Sequence, residues 1–183
     1  FRKQWKADPN ATQSYDVMYG MQKRKDIVLK AFLISDYLKA IPGKQIGIML
    51  PAGGSMNVLL LAVYLAEKVP VMMNWTHPQS AFAHCVKFSK TKKILTSKAF
   101  FNKLNIERLK EYEFIFLEDL LKKIPLYRKL KALAKSWVFP LPPQSSEDPA
   151  VVLYTSGREA LPKAVPLTHK KLISNLIGAL SIM

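Results

Sequence analysis

Cysteine is nearly absent: Cys85 is the only one in 183 residues. No internal disulfide can form, and a reducing, cytoplasmic setting is expected. A single small apolar side chain inside a core is the plain reading of that thiol. Histidine is almost as scarce, with only His77, His84 and His169. With one cysteine, that leaves no zinc-type Cys/His spacing, and no metal ligand set is expected. Nor do the histidines fall into a spacing that assembles a Ser/His/Asp nucleophile. His77 and His84 are expected to be structural. No apolar run approaches the roughly 20 residues of a spanning helix. The longest, Met56 to Ala66, is far shorter. The charged, polar amino terminus carries no signal-peptide pattern. No RNP-like aromatic motif or helix-turn-helix signature is present, so no nucleic-acid partner is expected.

Acidic residues are also few, 13 against 28 Lys and Arg, leaving a net charge of +15. The excess is uneven. Between Lys87 and Lys135 there are 14 basic residues against 5 acidic ones. Such a face attracts phosphates, anionic lipid or an acidic protein, or is simply solvated. Hydrophobic residues make up 49% of the chain, which is globular and not disordered. The chain opens on Phe1 and stops at Met183 inside an apolar helical pattern, as expected of a piece of a longer polypeptide.

Periodicity supplies the architecture. Phe1 to Met21 reads as a polar arm. From Arg24 to Ala40, Ile27, Ala31, Ile34 and Leu38 recur at helical spacing, and Pro42-Gly43 ends the helix. Gln45–Leu50 reads as a buried strand. Ser55 is placed to cap an apolar helix running to about Glu67. Val69–Asn74 reads as a strand, Gln79–Ser89 as a helix, Lys93–Thr96 and Phe114–Leu117 as further strands. Strands alternating with helices predict an α/β fold, a mostly parallel sheet with helices on both faces. Three divisions are expected. Residues 1–140 form a first subdomain, 141–149 a linker, and 150–183 the strand, loop and helix that open the next.

One stretch speaks of chemistry. Ala150–Tyr154 reads as a buried strand, and Thr168 as the N-cap of a helix through Ile177. Between them lies Thr155-Ser156-Gly157-Arg158-Glu159-Ala160-Leu161-Pro162-Lys163. Hydroxyls, backbone N–H groups and a lysine in such a turn suit a phosphate chain. It is not a Walker loop, because Pro162 replaces the second glycine and Ala164 the metal-binding hydroxyl. The stretch resembles instead the phosphate loop of the adenylate-forming enzymes, [YF]-T-S-G-[ST]-[TE]-G-x-P-K-G-V followed by L-T-H. Arg158, Ala160 and Ala164 depart from that pattern. The resemblance covers roughly residues 20 to 180, with Met49-Leu50-Pro51 and Val69-Pro70-Val71-Met72-Met73-Asn74-Trp75-Thr76 in order. The latter wording, with Ile94–Phe100 and Phe116–Leu120, is most similar to the acyl-acyl carrier protein synthetases. That branch includes the ligase part of bacterial 2-acylglycerophosphoethanolamine acyltransferases.

The resemblance implies the amino-terminal part of a ligase that joins a fatty acid to ATP, used with magnesium, and passes the acyl group on. The acceptor would be an acyl carrier protein or a lysophospholipid. It implies that Thr155, Ser156, Gly157, Arg158, Glu159 and Lys163 bind the nucleotide phosphates, and that Lys163 is catalytic, neutralising the leaving pyrophosphate. His169 would stand at the helix start and help shape the loop. Arg158 either adds a phosphate contact or occludes a loop built for a small hydroxyl. By the same comparison, the adenine segment and the mobile carboxyl-terminal domain lie downstream, so residues 1–183 alone are expected to be inactive.

The second informative stretch is residues 119–140. Leu120, Leu121, Ile124, Tyr127, Leu130, Leu133, Ala134 and Trp137 are expected to form one apolar stripe, broken at Pro125. Lys122, Lys123, Arg128, Lys129, Lys131 and Lys135 supply the basic complement. The pattern fits an anionic membrane surface, with a peripheral place on its inner face. It equally fits an acidic carrier protein, or a helix packed on its own domain with a wet basic face. The alternative function is therefore a non-catalytic docking module.

Overall fold

The computed structural model describes residues 2–16, 20–91, 93–104, 109, 111–138, 141–155 and 161–181. A short helix α1 (Arg2–Ala7) and a two-stranded antiparallel ribbon, β1 (Thr12–Asp16) with β2 (Gly20–Lys23), precede the main sheet. The polar arm expected for residues 1–21 is thus ordered structure over its described part. Helix α2 (Arg24–Lys39) follows and buries Ile27, Val28, Ala31, Phe32, Ile34 and Leu38 on one side. Gly43, at φ +90°, turns the chain after it, a conformation glycine adopts without steric cost.

The main sheet has six strands. In chain order they are β3 (Gln45–Ile48), β4 (Val69–Met72), β5 (Lys93–Thr96), β6 (Glu113–Phe116), β7 (Pro149–Tyr154) and β8 (Ala164–Thr168). Across the sheet the order is β6-β5-β3-β4-β7-β8. All neighbours are parallel except the last pair. Between them run α3 (Gly54–Leu65), α4 (Gln79–Phe88), α5 (Lys98–Leu104), α6 (Leu117–Lys123) and α7 (Leu126–Val138), and α8 (His169–Leu180) closes the chain. Parallel crossovers are right-handed. The rightward steps therefore put α3, α6 and α7 on one face, where α2 packs against all three, and the leftward steps put α4 and α5 on the other. The α/β fold with helices on both faces is as the alternation implied.

Local chemistry explains the strand ends. Pro70 sits at the second position of β4, just before pairing with β7 begins at Val71, so its missing N–H interrupts no ladder there. At Gly47 an added Cβ would lie 2.9 Å from Thr91 Cγ2 and 3.1 Å from Ile94 Cγ1, so the close approach of β3 to the chain entering β5 requires glycine. Thr96 Oγ1, fully buried, donates to the Met49 carbonyl at 2.7 Å and locks the carboxyl ends of β3 and β5.

Two expectations need correction. Ser55 is not the cap of α3; Gly53 holds that position without a side-chain cap, leaving Ser55 inside the first turn. The apolar residues of 119–140 do not form one stripe. The break at Ile124-Pro125 separates α6 from α7. Leu120 and Leu121 of α6 pack on the core, while α7 turns its apolar side outward. The buried positions of α7 are Ala132 and Ser136, and Lys135 is pinned to Asp36 of α2 at 2.7 Å. Small residues let α7 sit close on α2, so this contact, not the amphipathic pattern, sets its orientation.

Candidate functional site

The chemistry-bearing loop leaves the carboxyl end of β7, where ligands of parallel sheets bind. Its neck is closed by a reciprocal pair. The Thr155 N–H donates to the Lys163 carbonyl at 3.1 Å, and the Lys163 N–H donates to Thr155 Oγ1 at 3.0 Å. The ladder continues below with Tyr154 opposite Ala164 and Leu153 opposite Val165. Thr155 and Lys163, eight residues apart, are thus held side by side. The Lys163 side chain is solvent-exposed beside a buried Pro162. Ser156, Gly157, Arg158 and Glu159 lie outside the described residues. The site the structure brings together is therefore the base of the loop, Thr155 and Lys163.

The neck is anchored to the opposite layer. Tyr154 Oη donates to the Cys85 carbonyl of α4 at 2.9 Å, and burial raises its pKa. Sequence reasoning missed this tie, since it joins residues 69 apart. Cys85 is buried, and burial pushes its thiol up to about 11, which leaves it an inert core group. Its Sγ lies 4.0 Å from His77 Nδ1. Asn74 Oδ1 accepts from the Thr76 N–H at 2.9 Å and from Thr76 Oγ1 at 2.8 Å, closing a turn after β4. Trp75 packs edge-on against Phe100, ring centroids 4.8 Å apart. Of these groups, Cys85 is the one tied directly to the strand that carries the loop, through Tyr154.

His77 yields a pH prediction. Burial lowers its pKa below the ordinary 6.5, so between the folded value and 6.5 the unfolded chain binds more protons. Stability should rise with pH through that window and be lost as the medium is acidified below about 6.5. Thermal unfolding between pH 5 and 8 should show this slope, and His77→Gln should flatten it.

Helix α8 begins at His169 with Thr168 as its N-cap, as expected, but at a distance from the neck of the loop. Five residues of β8 separate the loop from α8, and Thr168 pairs with Pro149 at the far end of β7, roughly 15 Å from the neck at 3.3 Å per residue. Thr168 does cap α8, its Oγ1 accepting from the Lys171 N–H at 3.3 Å. His169 instead donates its N–H to the Asp148 carbonyl and sets its ring 5.6 Å from that of Tyr64. It fastens the chain entering β7, and the α8 N-terminus does not face the loop. The sequence hid β8 because Pro166 sits in its middle, which an edge strand tolerates.

Among the described residues no group of three His, Cys, Asp or Glu gathers as a metal site. No magnesium ligand is assigned to them.

The fold is an open, mostly parallel α/β sheet with the base of a hydroxyl-and-lysine loop at the carboxyl end of β7. The chain belongs to the AMP-binding enzyme family, whose description matches residues 29–182. It is 28% identical over 181 residues, 96% of its length, to the nonribosomal peptide synthetase gloA of Glarea lozoyensis, of which it covers 2%. It is 43% identical over 53 residues, 29% of its length, to the peroxisomal long chain acyl-CoA synthetase 7 of Arabidopsis thaliana, of which it covers 8%. Among solved structures it superposes on a fatty acyl-adenylate ligase from L. pneumophila, in complex with acyl adenylate and pyrophosphate. There the TM-score is 0.70 at 22% identity, covering 96% of this chain and 31% of the ligase. The chain thus spans a small part of the relatives it matches.

Proposed function

We propose that this chain is the amino-terminal part of a fatty-acid-activating ligase of the acyl-acyl carrier protein synthetase type. The whole enzyme joins a fatty acid to ATP. A carboxylate oxygen attacks the α-phosphorus, the bond to the β-phosphate oxygen breaks, and pyrophosphate leaves. Thr155, Ser156, Gly157, Arg158 and Glu159 cradle the β- and γ-phosphates, and Lys163 supplies positive charge where the leaving group gathers negative charge. In phosphoryl transfer such positioning and electrostatic stabilisation carry most of the catalysis. The acyl group then passes to a carrier-protein thiol or a lysophospholipid.

The observation that carries this reading is the Thr155–Lys163 clasp. It fixes the lysine beside the hydroxyl at the mouth of the loop, as an anion clamp requires. The acyl substrate is favoured by the similarity to the acyl-CoA synthetase and the fatty acyl-adenylate ligase. The similarity to gloA makes an amino acid the competing substrate.

The discriminating experiment is ATP–pyrophosphate exchange by the full-length protein with a panel of fatty acids and a panel of amino acids. Exchange driven by medium or long fatty acids alone is expected. Exchange driven only by amino acids would replace the substrate class and leave the reaction class standing.

A further inference from the structure

Helix α7 presents its apolar residues to solvent, with Leu126 71%, Leu130 60% and Trp137 73% exposed and Leu133 and Val138 also open. At 3.6 residues per turn, Leu126, Tyr127, Leu130, Leu133, Trp137 and Val138, all exposed, fall within roughly 140° of arc. Ala132 and Ser136, which hold the helix on α2, lie on the other side. Lys129 borders the apolar strip on one edge and Lys131 on the other, both exposed, with exposed Lys122 just before the helix. Lys135 is taken by Asp36 and belongs to the fold. The strip runs on through Leu133 and Trp137 into a groove of about 690 Å³ whose lining includes Trp5 and Leu29, with Lys6 and Lys25 among its polar members.

We propose that this face of α7 is a docking surface for an anionic lipid membrane, with the helix lying in the plane of the interface. The arrangement of charge carries the choice. Lysines on both edges of an outward apolar strip let the strip enter the acyl boundary while the ammonium groups stay at the headgroups. A terminal, exposed tryptophan is the side chain that interfaces favour. An acidic protein would meet the lysines but leave the strip uncovered. The inference stands apart from the ligase reading, since it uses no residue assigned to the nucleotide phosphates.

The test is vesicle co-sedimentation of the full-length protein, using phosphatidylcholine with and without phosphatidylglycerol. Binding is expected only with the anionic lipid. Lys129→Gln with Lys131→Gln should weaken it by roughly 25-fold, taking about fivefold for each charge. Leu130→Asp should abolish it, with circular dichroism and pyrophosphate exchange unchanged. Brominated lipid should quench wild-type fluorescence but not that of Trp137→Phe, which tests insertion even if the aspartate variant fails to fold. Three results overturn the proposal: no binding to anionic vesicles, binding indifferent to Leu130→Asp in a folded protein, or lipid-free self-association or carrier-protein capture that Leu130→Asp removes. Vesicle binding by a protein that exchanges no pyrophosphate would sink the ligase reading and leave this one intact.

Discussion

Lys163→Ala should lower acid-dependent ATP–pyrophosphate exchange by about 10²- to 10³-fold, roughly 3–4 kcal/mol of transition-state stabilisation. The expectation follows from where the side chain starts. Its backbone is held on both sides by Thr155, and Pro162 before it is buried, so only the exposed side chain changes. The loss should fall on kcat more than on the KM for ATP, because charge on the departing oxygens grows only as pyrophosphate separates. Lys163→Arg should recover part of the rate, since charge is kept while the point-like ammonium becomes a planar fork. Equal exchange in wild type and Lys163→Ala would mean that the loop holds no pyrophosphate.

The largest stability effect should come from Phe82→Ala, about 3–5 kcal/mol for an aromatic side chain removed from a packed site. Phe82 is 1% exposed, and its ring meets that of Tyr112 edge-on at 5.1 Å. It lies three residues before Cys85 on α4, whose carbonyl holds Tyr154 at the neck of the loop. The cavity should therefore loosen the site as well as the fold. Urea unfolding should show a clearly lower midpoint, and exchange should fall well below the temperature at which the variant melts. Loss of stability without loss of exchange would show that the Tyr154 tie does not position the loop.

Much of the scaffold was legible from the chain alone. Runs such as Gln45–Ile48 and Lys93–Thr96 are short, apolar and followed by helical spacing, and a buried parallel sheet leaves that trace. The residues Tyr154 to Lys163 pointed to phosphate chemistry through their hydroxyls, glycine and lysine, a reading that pyrophosphate exchange tests. What was hidden depended on contacts distant in sequence. Strand β8 contains Pro166 and is recognisable only beside β7, whose Val152 is its partner. The outward face of α7 could not be read from periodicity, which shows that one side is apolar but not where it points. That was decided by Ala132 and Ser136 against α2 and by Lys135 reaching Asp36, 99 residues away. The Tyr154 hydrogen bond to Cys85 had no local signal at all.

On the proposed reading, this loop serves a ligase that couples a fatty acid carboxylate to the α-phosphate of ATP. Carboxyl-¹⁸O-labelled fatty acid, turned over by the full-length protein with ATP and an acceptor, tests it most directly. Acyl-AMP formation makes a bond from a carboxylate oxygen to phosphorus, and acyl transfer leaves that oxygen behind. AMP carrying one labelled oxygen is expected, together with unlabelled pyrophosphate. Unlabelled AMP, or ADP with label in inorganic phosphate, would contradict it.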